Sequence, residues 1–334
     1  MAMNNRTFVI GADIGGTNTK ISVVSENGEI IFKNQIPTDS RLGTARCVDR
    51  ICQCVSKIIK KAEGAGISIK GIGLGVTGQV DIHSGTIVGG IKGKIPGWIG
   101  LPIGNLFRER FNLPVFVDND GNVAALGEYI FGFKKSVNSI VALTIGTGVG
   151  SGIILDGKLF RGGGSNLSGE LGHISINYLG PLCNCGNKGC LEAYVSKEAI
   201  LDMFVKKMEK EASSNTIKPT NKKSSSVTPE LIYKKHLEGE RAATEVIYEV
   251  GRYIGYAMTV AVNTIGPQVI IIGGGIAAQF GEPIIKEIRT TVKSNAFGLA
   301  AQDVKIILTK FGPFAGVLGA STLAFNKYKG ITGM

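Results

Sequence analysis

The 334-residue chain is 43% hydrophobic, contains 48 glycines and carries a formal net charge of +11, a composition that describes an α/β protein long enough for two domains and rich in tight turns. It argues against a membrane or exported protein: no apolar run reaches the roughly 18 to 20 residues needed to span a bilayer, and the short apolar run near the start is too brief for an export signal, so a cytoplasmic protein with reduced thiols is expected. Nor does the charge point to nucleic acid, because much of it lies in "KKMEK", "KPTNKK" and "KK" between residues 206 and 235, interleaved with serine, threonine and proline as on a solvated face.

The first elements lie in "FVIGADIGGTNTKISVVSENGEII", which alternates like a strand, breaks at a glycine turn and resumes as a second strand. In "ARCVDRICQCVSKIIKKA", Cys47, Ile51, Cys54, Val55 and Ile58 fall at helical spacing, so Cys47 and Cys54 read as small core residues. The segment "LPVFVDNDGNVAALGEYIFG" reads as a strand over 114–117, an acidic stretch, and a helix from near Asn122. Ligand groups in α/β folds gather at the carboxyl ends of strands, which is where Asn119 and Asp120 stand; the alternative is that Asp118 or Asp120 only caps the helix.

Strand, glycines, strand returns in "SIVALTIGTGVGSGIILDGKLF", which suggests an internal duplication. Neither a dinucleotide fingerprint nor a Walker loop fits: the glycine spacing is wrong for the first, and "GTGVGSG" leads into a strand rather than a helix. A glycine-rich hairpin turn still presents backbone N–H groups at close range, and two such turns facing one another could grip a triphosphate. A third glycine cluster follows in "QVIIIGGGIAA", a strand running into a helix from near Gly275.

Between these, "GGGSNLSGELGHISINYLGPLCNCGNKGCLEAYVS" holds Glu170, His173, Cys183, Cys185, Cys190 and Glu192. Three thiolates and one imidazole make a full tetrahedral zinc set, and the glycines of C-x-C-G-x-x-G-C let the chain curl so that the sulfurs converge. Four protein ligands leave no open position, so the ion would be structural; a redox pair or unliganded thiols are the alternatives. The low-complexity segment 213–229, "SSNTIKPTNKKSSSVTP", reads as a mobile surface loop.

The ordered set "DIGGTNTK", "VDNDGNVAALGE", "TIGTGVGSGI", "GELGH", "CNCGNKGCLEAY" and "VIIIGGGI" resembles the ROK family of sugar kinases and repressors over almost the whole chain. The resemblance implies a duplicated, two-domain hexokinase- and actin-like α/β fold with an interdomain cleft, the smaller domain at 1–118 plus 317–334, to which the last helix returns, and the larger at 119–316. It implies that Asp13, Gly15, Gly16 and Thr17 form the first phosphate turn, with Asp13 placing Mg2+, that Gly146, Thr147 and Gly148 form the second, and that Gly274 and Gly275 lie near the adenosine of ATP. Asp120 is then the catalytic base, and Gly78, Asn119, Asp120, Glu170, His173 and Glu192 face the sugar.

The activity so implied is ATP-dependent transfer of the γ-phosphate to the 6-hydroxyl of a hexose, glucokinase-like, in a homodimer that binds neither nucleic acid nor membrane. Thr77 and Lys94 depart from the glucokinase pattern, and "VTGQVD" and "GPLCNCGNKGCLEAY" are similar to N-acetylmannosamine kinases, so an N-acetylhexosamine is the alternative substrate. Family repressors carry a helix-turn-helix before the first phosphate turn, which here starts by residue 11; a sugar sensor without a DNA-binding domain is the non-enzyme alternative.

Overall fold

The computed structural model describes residues 6–91, 95–163, 167–214 and 227–325; Lys94 and most of the 213–229 segment lie outside them. In chain order the elements are β1 (Phe8–Ile14), β2 (Asn18–Ser25), β3 (Ile30–Pro37), α1 (Thr44–Gly64), β4 (Ile69–Val76), β5 (Gln79–Asp81), β6 (Thr86–Gly89), α2 (Ile103–Phe111), β7 (Val115–Asn119) and α3 (Asp120–Gly127). A π-helical turn at Glu128–Gly132 leads to β8 (Ile140–Ile145), β9 (Val149–Leu155), β10 (Lys158–Phe160), α4 (Glu192–Val195), α5 (Lys197–Ser214) and α6 (Pro229–Leu237). The chain ends with α7 (Arg241–Ile265), β11 (Val269–Gly273), α8 (Gly274–Phe280), α9 (Glu282–Asn295), β12 (Lys305–Leu308) and α10 (Ala315–Ala324).

The strands form two five-stranded sheets of the same design, β3-β2-β1-β4-β7 and β10-β9-β8-β11-β12. In each, the first three strands of the set lie in reverse order and the next two extend the other side. In the first sheet β1 pairs antiparallel with β2 and parallel with β4. In the second β10 pairs antiparallel with β9, and β11 parallel with β12. This repeated order is the duplication that the two glycine hairpins suggested.

By packing, the chain divides into two compact units, Met1–Ala142 with Ser151–Glu170 and Lys310–Met334, and Leu143–Gly150 with Leu171–Thr309. These bounds differ from those expected from the sequence, which placed 119–316 in one domain. The physical reason lies in α3 and α10: α10 is buried along nearly its whole length against β1, β4 and α3, so α3 stays with the first unit. Close approach demands glycine there, since a Cβ on Gly319 would stand 1.5 Å from the Val123 carbonyl and one on Gly73 would stand 1.7 Å from the Ala320 carbonyl. The last helix belongs to the first unit.

β1 is buried along both faces rather than alternately, because its other side packs against the apolar stripe of α1. Cys47, Ile51, Cys54, Val55 and Ile58 form that stripe as their spacing predicts, and Cys52 joins them in the core. In the second unit α7 and α9 pack together. No described helix is long and apolar enough to cross a membrane.

Candidate active site

The first unit carries the β1–β2 turn. Gly15 N donates to Asn18 O at 3.1 Å, Thr38 N donates to Thr17 O at 2.8 Å, and Thr38 Oγ1 donates to Gly15 O at 2.7 Å. The turn's shape is therefore fixed by hydrogen bonds to its carbonyls, while Gly15 and Gly16 are half-buried and Thr17 is exposed. Asp13 stands one residue before the end of β1, its side chain 18% exposed, and pairs in register with Lys20 across the hairpin. Lys20 Nζ lies 3.7 Å from Asp13 Oδ2. Burial raises the Asp13 carboxyl above the usual aspartate range and Lys20 opposes that rise. Sequence reading missed Lys20, yet the hairpin register carries the signal: four residues separate the paired Ile14 and Thr19, which sets position 13 opposite position 20.

At the carboxyl end of β7 the chain turns directly into α3, which begins at Asp120 rather than near Asn122. The cap is Asn119, not Asp118 or Asp120: its Oδ1 accepts from Gly121 N at 2.8 Å and from Asn122 N at 3.2 Å. Its Nδ2 donates to Gly78 O at 2.9 Å, so the short side chain ties the helix start to the end of the β4 region. Asp120 occupies the first helical position, where the aligned backbone dipoles favour a negative charge, and its Oδ1 accepts from Gly121 N at 2.9 Å.

Asp118 has a different duty. It is 1% exposed and bound to the equally buried Arg161, whose Nη2 and Nε both donate to Oδ2, the latter at 3.1 Å. Its Oδ1 accepts from Asn119 N at 2.7 Å and from Asn122 Nδ2 at 2.9 Å. The acid is thus the anchor under the Asn119–Asp120 step, and Arg161, 43 residues away, gave no local signal in the sequence. A small pocket of this unit is lined mainly by polar residues, among them Gln79, Asp118, Asn119, Asn122, Ser151 and Glu170, together with Val80 and Leu167. Gly78, Asn119 and Glu170 are therefore brought together, with Asp120 adjoining. Thr77 N donates to Ile14 O at 3.1 Å and Thr77 O accepts from Trp98 Nε1 at 2.8 Å, so that residue is fixed by its backbone.

The second unit carries the β8–β9 turn, residues 146–148, with Thr147 exposed. Gly146 N donates to Gly148 O at 2.9 Å, and Gly146 O accepts from Lys197 N at 2.8 Å. Glu192 is buried, and its Oε2 accepts from Val149 N at 2.8 Å. Gly274 opens α8 against the end of β8, and Gly275 beside it is exposed with open space where a side chain would stand.

His173, Cys183, Cys185 and Cys190 are all brought together in this unit, with their ligand atoms within 4.8 Å of one another. Cys185 Sγ and Cys190 Sγ are 3.6 Å apart, and Cys183 Sγ lies 3.8 Å from His173 Nδ1. A tetrahedral ion with metal–sulfur bonds of about 2.3 Å has sulfur–sulfur edges of about 3.8 Å, so the donor set fits such an ion. The curl requires Gly189, at φ 69°, because a Cβ there would stand 1.7 Å from the Asn177 carbonyl. The Nδ1 of His173 faces the sulfurs, which leaves Nε2 for another partner.

A ROK family model matches residues 9–327. The chain is 31% identical to a glucokinase of Halalkalibacterium halodurans over 96% of each chain. It is 32% identical to a xylose repressor of Caldicellulosiruptor bescii, over 95% of this chain and 78% of the repressor. Its structure is similar to that of a ROK family glucokinase from Streptomyces griseus in complex with glucose and AMPPNP, with a TM-score of 0.82 and 29% identity over 95% of this chain and 98% of that one. Two sheets of one strand order, two glycine hairpins, a polar acidic site and a Cys3His cluster thus meet a family match along nearly the whole chain: it belongs to the ROK family and has the hexokinase- and actin-like fold.

Proposed function

We propose that this protein is an ATP-dependent sugar kinase that transfers the γ-phosphate to the 6-hydroxyl of a hexose, with glucose as the expected substrate. The observation that carries the reading is the β7–α3 step, where Asp120 begins a helix beside a polar pocket and is held there by Asn119 and the buried Asp118–Arg161 pair. The similarity to glucokinases supports the choice of sugar.

Phosphoryl transfer depends mainly on in-line positioning and on neutralising charge. Asp120 accepts the proton of the sugar hydroxyl as its oxygen attacks the γ-phosphorus, the bond from that phosphorus to the β,γ-bridging oxygen breaks, and ADP departs. The amides of the turns at Gly15–Thr17 and Gly146–Gly148 hold phosphate oxygens, and Lys20, a cation next to Asp13, adds positive charge at the first turn. The partly buried carboxylate of Asp13 offers the oxygen ligand that Mg2+ takes, and the ion would supply positive charge to the phosphates. Gly274 and Gly275 adjoin the adenosine. Gly78, Asn119, Glu170, His173 and Glu192 contact sugar hydroxyls, His173 through Nε2. The four donors of the Cys3His cluster would hold zinc as a structural ion that stiffens the loop carrying His173.

The test is a coupled ADP-release assay with Mg-ATP against glucose, fructose, mannose, N-acetylglucosamine and N-acetylmannosamine. Glucose is expected to turn over, and Asp120→Asn to lower kcat by about 10² to 10⁴-fold with unchanged thermal unfolding, the usual weight of a general base. Retention of most activity by Asp120→Asn removes Asp120 from that role. Preference for N-acetylmannosamine moves the substrate to the N-acetylated class, and no turnover of any sugar by a protein that binds nucleotide overturns the kinase reading.

A further inference from the structure

In the proposed function the metal loop serves the sugar and the second glycine turn serves the phosphates. In this chain they are bonded to each other within one unit. Glu192, two residues beyond Cys190, sends its Oε2 to Val149 N, the first amide after the turn, at 2.8 Å. Lys197 N holds Gly146 O, the carbonyl at the start of the turn, at 2.8 Å. Gly172, just before His173, lies so close to Val149 that a Cβ on it would stand 2.3 Å from the Val149 carbonyl. Cys190 Sγ lies 3.4 Å from His173 O and Leu191 N donates to Ile174 O at 3.1 Å, so the segments bearing these contacts are themselves joined. The turn 146–148 is therefore held at Gly146 and at the adjoining Val149 by residues of the segment 172–197 that carries the metal ligands, while Thr147 at its tip is exposed.

We propose that Glu192 is a positioning residue for nucleotide binding: through Val149 it sets the shape of the Gly146–Gly148 turn, so that the sugar-side loop determines how well the turn holds phosphate. The physical reason is the cost of an unmade bond. Val149 is buried, and an N–H left without an acceptor there draws the turn out of register or pulls in water. Glu192 uses one carboxylate oxygen for this, and Oε1 has no protein partner among the described residues, which leaves it for a sugar hydroxyl. A single carboxylate can then report sugar occupancy to the phosphate turn. This inference rests on the kinase reading above.

The experiment is calorimetric titration of a non-hydrolysable ATP analogue with Mg2+ into the full chain, with no sugar present. Glu192→Ala is expected to weaken binding about tenfold, the effect of a lost buried hydrogen bond. Glu192→Gln, whose amide oxygen still accepts from Val149 N, stays within about twofold of the wild type on the same scale. A residue that only touches sugar moves neither value, so an unchanged affinity in Glu192→Ala overturns the proposal while leaving the kinase reading intact. A wild type that binds no nucleotide overturns both. Should Glu192→Ala fail to fold, Lys197→Pro tests the other end of the turn. Lys197 is the first residue of α5 and Ser196 before it is extended, a setting that accepts proline, and the exchange removes the N–H that holds Gly146. Weakened nucleotide binding by that variant supports the clamp, and wild-type affinity overturns it.

Discussion

Asp118 and Arg161 show how a residue can govern a site without entering it. Both are buried, and each satisfies the other's charge while Asp118 also accepts from Asn119 N and Asn122 Nδ2. Removing one partner leaves an uncompensated charge inside the protein, which costs far more than a surface ion pair is worth. Arg161→Leu is therefore expected to destabilise the protein by about 3 to 5 kcal/mol, read from denaturant unfolding, and to lower kcat because the Asn119–Asp120 step loses its anchor. A loss under about 1 kcal/mol would mean that solvent reaches Asp118. Of Asp118, Asn119 and Asp120, the sequence could set the stretch between a strand and a helix but could not assign a duty to each. Asx residues at the mouth of a helix are interchangeable as caps by composition, and only the geometry gives the cap to Asn119, the buried pair to Asp118 and the first helical position to Asp120.

At the scale of elements, the helices were legible where one face repeats and illegible where every face is buried. α1 announces its inner face through Cys47, Ile51, Cys54, Val55 and Ile58, since a half-exposed helix must alternate polar and apolar residues. α10, with "AGVLGASTLA", has no polar face to mark its period, and its partners are strands and a helix from the start of the chain. Its small residues are the condition for that packing. Gly319→Ala forces a methyl into the Val123 carbonyl and is expected to cost about 3 kcal/mol, the upper end of overpacking effects, in urea unfolding. Gly163→Ala, on an exposed residue with open space around it, is the control and should change stability by no more than about 0.5 kcal/mol. Equal tolerance of both would show that α3 and α10 separate readily.

For the whole molecule, the six cysteines divide into two classes that one titration can separate. Cys47, Cys52 and Cys54 lie in the core of the first unit, where burial raises their thiols, that of Cys52 to about 11, so they stay protonated and unreactive at pH 8. Cys183, Cys185 and Cys190 belong to the Cys3His cluster of the second. With a metal bound, a thiol reagent at pH 8 is expected to find no fast-reacting cysteine; after chelation three should react quickly and the other three only on unfolding, with release of about one zinc per chain and a lower melting temperature. Metal analysis finding no zinc, with the cluster thiols reactive from the outset, would remove the structural ion. What the sequence determined by itself is what short stretches of chain can enforce: the glycine hairpins, the repeated strand–glycines–strand pattern with its hint of duplication, and a ligand set packed into residues 173–190, because turn geometry and donor spacing are local. What only the tertiary structure decided is which groups meet: Asp118 with Arg161, Glu192 with the amide of Val149, and α3 with α10 from distant parts of the chain. Those pairings join segments far apart in sequence, and burial, which makes each of them strong, exists only once the chain has folded.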